Sequence, residues 1–180
     1  MTSEDIRIDA QLLCGFTIDS AVAFKWVKDA AKYVLRLHPL AATKKTVEVS
    51  FNEDKQTYQI EEELARIENI TLKDERYPIR QIAFDCDELG NITFWYKGDY
   101  VITYRYVPVM PQTASGDLPM PDKYAEPIKY YVAARMRGRV YGQGDSDAQN
   151  YDMLFLQYEN DADISMNRTN KRHRRMPVRY

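Results

Sequence analysis

The spacing of the apolar residues changes twice along this chain of 180 residues, and those two changes limit what it can fold into. Over residues 19–38 apolar side chains recur every three to four positions, as on one face of a helix. From Thr46 to Val107 they recur largely at every second position, as on one face of a strand. After Pro121 the helical spacing returns. Strands set between helices, instead of alternating with them, predict an α+β fold. The expected order is an N-terminal helix, an inserted antiparallel β-sheet or small sandwich, a C-terminal helical hairpin and an extended basic tail.

In the first helix Ala23, Trp26, Val27, Ala30, Val34 and Leu37 share one side, while Lys25, Lys28, Asp29, Lys32 and Arg36 share the other. His38-Pro39 ends it, because the residue before a proline is pushed out of the helical region. Residues 1–16 offer only Ile6, Ile8, Leu12, Leu13 and Phe16 as anchors and read as an arm or a short helix. Strands are expected over 46–52, 57–61, 65–72, 79–84, 91–96 and 100–107. Glu53-Asp54-Lys55, Gly90-Asn91 and Lys97-Gly98-Asp99 read as turns, the last of them closing a hairpin between ITFWY and YVITYRYV. A loop with four prolines, residues 108–121, leads back to the helices.

Asp122 suits the N-cap of the following helix, where its carboxylate can accept a bond from a first-turn N–H. Pro127 removes a donor one turn later, so either the helix bends there or its regular part begins near Pro127. Ile128, Tyr131, Val132, Met136 and Val140 form a core stripe, with Lys129, Arg137 and Arg139 largely elsewhere. Gly142 and Gly144 stop the helix, and Ser146 to Gln149 has the form of a capping box for the next. Tyr151, Leu154, Phe155, Tyr158 and Ala162 then face the first helix, giving a hairpin with an aromatic seam.

The charge is unevenly placed. Arg168, Lys171, Arg172, Arg174, Arg175 and Arg179 put +6 into the last thirteen residues, leaving 19 basic and 27 acidic residues, or −8, in residues 1–167. An acidic body with a basic tail points to a partner for the tail. Two isolated thiols, Cys14 and Cys86, write neither a disulfide scaffold nor a zinc site, and a reducing compartment is expected. The apolar runs are too short for a membrane span, and MTSEDIRIDA lacks the order of a signal peptide, so a soluble protein is expected. Asp85, Asp87 and Glu88 read as a charged turn instead of a cation site. Gly142-x-Gly144 is no phosphate loop, and His38 and His173 have no triad or metal setting in the sequence. No catalytic residue, metal or cofactor is expected, and the chain does not read as an enzyme.

The order of elements, the Tyr-rich TYRYVP ending, the run LPMPDKYAEPIKYYVAAR and the helix DSDAQNYDMLFLQYE together resemble the head-to-tail connector adaptors of tailed bacteriophages, over roughly residues 19–164. Leu118, Pro119, Asp122, Tyr124, Glu126, Tyr131, Ala134 and Arg135 match that family's run at the start of its long helix. The resemblance implies a virion protein, assembled in the host cytoplasm as a ring, usually dodecameric, beneath the portal protein. It implies a single adaptor domain over 1–167, with a helical body at 17–38 and 121–166 and a β-rich insertion at 46–108. The body would supply the subunit interface through Asp122, Tyr124, Glu126, Tyr131, Arg135, Arg137 and Arg139. The insertion would meet a tail-side connector or nozzle protein through a hairpin carrying Trp95, Lys97 and Asp99. The arm 168–180, with the six basic residues and Tyr180, would dock on the portal. Viral DNA would pass through the channel, and an acidic body suits that role by repelling phosphates. The alternative is a small nucleic-acid-binding protein that contacts phosphates through the same tail.

Overall fold

The computed structural model describes residues 1–73, 83–87 and 89–174, with the backbone alone for 168–174. The chain divides into two units: a helical one built from Met1–Ala41 and the segment from Val109 onward, and a β-rich one, Ala42–Pro108. The fold class is α+β, as the change of period predicts.

In the helical unit residues 3–14 are a helix, α1 (Ser3–Cys14), closed at both ends. Thr2 and Asp5 form a capping box, and Gly15 ends the helix at φ 74°, a left-handed conformation that glycine adopts without a side-chain clash. Met1 and Thr2 lie along the proline-rich connector: Leu118 N–H donates to the Met1 carbonyl, and Thr2 bridges Asp117. Helix α2 (Ser20–Leu37) starts at Asp19, whose carboxylate accepts from the N–H groups of Ala21 and Val22. It buries Ala23, Val27, Ala30, Ala31, Val34 and Leu35. The buried face is thus displaced from the expected one: Leu37 is exposed and Trp26 half-buried, while Ala31 and Leu35 are inside. Small residues at 23, 30 and 31 let α2 approach α1 and α4 closely, and that contact selects the alanine edge over the tryptophan edge.

Asp122 does not cap the long helix. A short helix, α3 (Asp122–Ala125), follows Pro121, and the Asp122 carboxylate accepts from the N-terminal ammonium of Met1 at 3.0 Å. The regular helix α4 (Ile128–Tyr141) begins just after Pro127, the second of the two alternatives its position leaves open. Ile128, Val132 and Met136 are buried, together with Ala133 and Ala134, but Val140 is exposed near the helix end. Asp145, not Ser146, caps the next helix, its carboxylate accepting from Ala148 N–H at 3.0 Å. That helix, α5 (Ser146–Arg174), runs past the point where its apolar spacing fails. Residues 168–174, expected in an extended arm, therefore continue a helix; residues 175–180 lie outside the described residues.

The β-rich unit is a small sandwich of two three-stranded antiparallel sheets. One has the order β1 (Thr43–Phe51), β6 (Gly98–Val107), β3 (Glu63–Leu72); the other has β2 (Gln56–Gln59), β5 (Asn91–Phe94), β4 (Phe84–Cys86). β1 and β6 pair along their full length, from Thr43 opposite Tyr106 to Phe51 opposite Gly98. The hairpin expected at 97–99 is not formed, because this turn, like the one at 53–55, carries the chain from one sheet to the other. Burial explains this: β5 and β6 both bury alternate residues, and those faces cover each other only if the strands lie in opposite sheets. Phe94 of β5 lies on Tyr100 of β6 with ring centroids 4.3 Å apart. Ile60, Ile70, Ile92, Ile102 and Tyr104 complete the core. Two bulges in β3 leave Ala65 and Glu68 outside the register, and Glu68 accepts from Arg105 Nε at 2.5 Å.

The hairpin that does form joins β4 to β5. Asp87 organises it, accepting from the backbone N–H of Leu89 and of Asn91 and from the Asn91 amide. The Asn91 amide holds the Asp87 carboxyl below its ordinary range. Gly90 completes the turn at φ 81° with Ile60 Cβ only 3.4 Å from where a side chain would begin. Part of the expected strand 79–84, and Glu88, lie outside the described residues.

Candidate interaction surfaces

The residues singled out on the helical hairpin separate into an inward and an outward group. Tyr124 is 1% exposed, and its hydroxyl donates to Asp163 Oδ1 at 3.3 Å. Arg137 closes the α4–α5 turn by donating from Nε and Nη2 to Asp145 at 2.7 and 3.1 Å, and it also reaches Asp147. This fork holds the Asp145 carboxyl below its ordinary range and raises the guanidinium. Both side chains hold the hairpin together. Glu126 is exposed and pairs with Lys129 at 3.2 Å one turn on.

Tyr131, Arg135 and Arg139 point the other way. Tyr131 packs edge-on against Phe155, with centroids 5.4 Å apart, and the Arg135 guanidinium lies 4.8 Å over its ring. They line a groove along the α4–α5 seam, formed by adjoining hollows of about 420 and 500 Å³ that share Arg135 and Asp152, the first of them bordered by Tyr33 of α2. Tyr33, Phe155 and Leu156 supply its apolar wall. On the other side of the α4–α5 seam Tyr130 stacks on Tyr158 at 5.3 Å and 9°. The aromatic seam expected from the sequence is present, with an aromatic face on each side of it.

A constellation that sequence spacing did not reveal lies where α2 ends. His38 Nε2 is 2.5 Å from Glu159 Oε1, and His38 Nδ1 is 3.3 Å from Asp163 Oδ1. The imidazole also packs against the Tyr124 ring at 5.8 Å. Glu159 is 2% exposed, and its Oε2 has no hydrogen-bond partner among the described residues. The two carboxyls approach different ring nitrogens, so they do not converge on one point, and among the described residues no group of three or more His, Cys, Asp or Glu is placed to hold a metal ion. What the cluster does is fasten the end of α2 to α5. A signal was available: His38 and Glu159 are far apart in sequence, but Glu159 falls four residues after Phe155 on the buried face of α5.

In the β-rich unit the expected tail-side residues gather at one end of the sandwich. Trp95 is 42% exposed, donates from its indole N–H to Asp85 at 3.1 Å, and carries Lys55 5.4 Å from its ring. Lys97 N–H donates to Asp54 Oδ1 at 2.9 Å, joining the two sheet-crossing turns. Asp99 sits in β6 opposite Ser50, where its carbonyl accepts from Lys73 N–H. With Tyr96 64% exposed, this end presents aromatic rings on a hydrogen-bonded support. The side chains of Arg168, Lys171, Arg172 and Arg174, and all of Arg175, Arg179 and Tyr180, lie outside the described residues, as does His173's side chain.

Cys14 donates its S–H to the Ala133 carbonyl at 3.5 Å, and burial pushes its thiol up from the ordinary value. Among the described residues no helix is long and apolar enough to cross a membrane. No known protein family and no curated protein matches the chain.

Proposed function

We propose that this chain is a structural ring subunit of a tailed-phage connector, joining a portal to tail components around a DNA passage. The observation that carries the reading is the division of the chain into a helical unit and an inserted sandwich, each with aromatic side chains exposed on a rigid support. Exposed aromatic rings flanked by arginine are the usual anchors of protein interfaces, because they bury much area at little entropic cost. The helical unit would form the body of the ring, and the sandwich would meet the tail-side partner through the Trp95 end. The six basic residues from Arg168 to Arg179 would enter an acidic surface of the portal. The role is one of assembly, not catalysis.

The same charge favours one competing reading, a nucleic-acid binder acting through the tail. Replacing the six basic residues by glutamine distinguishes them, since glutamine keeps the helix propensity of residues 168–174 while removing the charge. Under the connector reading the variant folds but no longer docks on the portal ring. Under the alternative it loses nucleic-acid affinity together with most of the salt dependence. Native mass spectrometry and electron microscopy of the tagged protein from its source test the main reading directly. A ring stacked on a second ring is expected, and a monomer carrying nucleic acid would overturn it.

A further inference from the structure

The groove along the α4–α5 seam has an unmatched charge. Arg135 and Arg139 are both exposed, and neither has a carboxylate at ion-pair distance among the described residues. They are four positions apart on α4, which places them about 6 Å apart along the helix on one side. Tyr33 and Leu156, both about half exposed, stand beside them, and Asp152 is the groove's one acidic residue.

The complement of this pattern lies on α1. Asp5 and Asp9 are also four apart, and between and beyond them are Ile8 and Leu12, the latter 77% exposed. The opposite face of α1, with Ser3, Ile6 and Ala10, is buried, so the Asp5–Ile8–Asp9–Leu12 stripe looks away from the helical unit. It cannot reach the groove of its own chain. α1 meets α4 at Ala133, under Cys14, whereas the groove is on the side of Tyr131 and Arg135. Residues two apart on a helix point about 200° from each other, so stripe and groove lie on opposite sides.

We infer that the α1 stripe of one copy seats in the α4–α5 groove of the next, Asp5 and Asp9 meeting Arg135 and Arg139 while Ile8 and Leu12 cover Tyr33 and Leu156. Equal spacing and opposite sign select the occupant, and the apolar residues supply the area between the charges. Since the two surfaces differ and face opposite ways, the contact is head-to-tail and repeats from copy to copy, closing into a ring if the rotation allows. The inference rests on the connector reading for the ring, and it identifies that ring's copy-to-copy contact.

The test is a charge exchange read by sedimentation velocity on the full chain. A groove variant, Arg135→Glu with Arg139→Glu, and a stripe variant, Asp5→Lys with Asp9→Lys, are each expected to weaken association more than about tenfold and to sediment as monomers where the wild type associates. Mixed one to one, they are expected to associate again, because every contact then pairs opposite charges. Leu12→Glu, at an exposed position outside the capping box, serves if the stripe variant fails to fold, and it too is expected to sediment as a monomer. The inference is overturned by a wild type that stays monomeric at all concentrations, by variants that associate like the wild type, or by a mixture that does not recover. A ring imaged in the native complex but insensitive to these changes would sink the inference and leave the connector reading standing. Recovery on mixing without a ring on a portal would do the reverse.

Discussion

Replacing His38 by alanine is expected to be among the most costly single changes in the helical unit. The imidazole is the only described partner of Glu159, which is 2% exposed and already has one oxygen without a bond. Without the ring, neither Glu159 oxygen has a protein partner among the described residues. Removing one member of a buried pair in this way costs about 3–5 kcal/mol. Asp163, whose side chain is 28% exposed, loses a weaker contact and can be hydrated instead. Urea unfolding should be followed by the fluorescence of Trp26 in a Trp95→Phe background, which isolates the helical unit from the sandwich. A companion with both members replaced, His38→Phe and Glu159→Leu, should recover most of the loss, because an apolar pair leaves no polar atom unbonded. A His38→Ala cost under about 1 kcal/mol, or a double variant as unstable as the single, would refute the reasoning and mean that the cluster is hydrated.

Three further outcomes follow from other contacts. Phe94→Ala should cost the sandwich about 3–5 kcal/mol, because Phe94 is fully buried against Tyr100 and Phe51; Trp95 fluorescence in a Trp26→Phe background reads it. Gly90→Ala should cost about 1–2 kcal/mol in the same assay, since the residue is held at φ 81° and a new Cβ meets Ile60. The Asp145 carboxyl is lowered in the fold by Arg137, so its stabilising effect is complete above its ordinary value of 3.8 and fades as pH falls through the lower folded value. Asp145→Asn should therefore make the thermal midpoint less sensitive to acid below about pH 4 than in the wild type, as measured by circular dichroism.

Periodicity carries the element types well because it records burial within one element, and it carries pairing poorly because pairing depends on where a second element lies. The alternation in 91–96 and 100–107 correctly marks two strands, but the same alternation fits a hairpin and a sandwich equally. Only the need to bury Phe94 and Tyr100 against each other separates the two. Capping shows the same limit: Ser146 and Asp145 are equally good caps by type, and the Arg137 fork decides for Asp145. On α2, tryptophan and leucine look like the inner face until close helix contact favours alanine. In the candidate surfaces, the helical spacing set Arg139 apart from the core stripe of α4, where it is exposed, but put Tyr131 in that stripe, whereas its ring is only half-buried, against Phe155. It gave no warning that Arg137 turns back to Asp145 across the α4–α5 turn, which depends on how that turn closes, or that His38 meets two carboxyls far along the chain.

The full pairing of β1 with β6 has a consequence for how the chain folds. Thr43 sits opposite Tyr106, so the first and last strands of the sandwich bring residues 42 and 108 close together. For the helical unit an insertion of 67 residues then acts as a connection of about two once the sandwich has formed. The loop-closure entropy saved, scaling as the logarithm of that ratio, is about 3 kcal/mol. A helical unit whose two segments are joined only after the sandwich closes would fold second and faster for it, and a short turn linking Ala41 to Val109 should serve in its place.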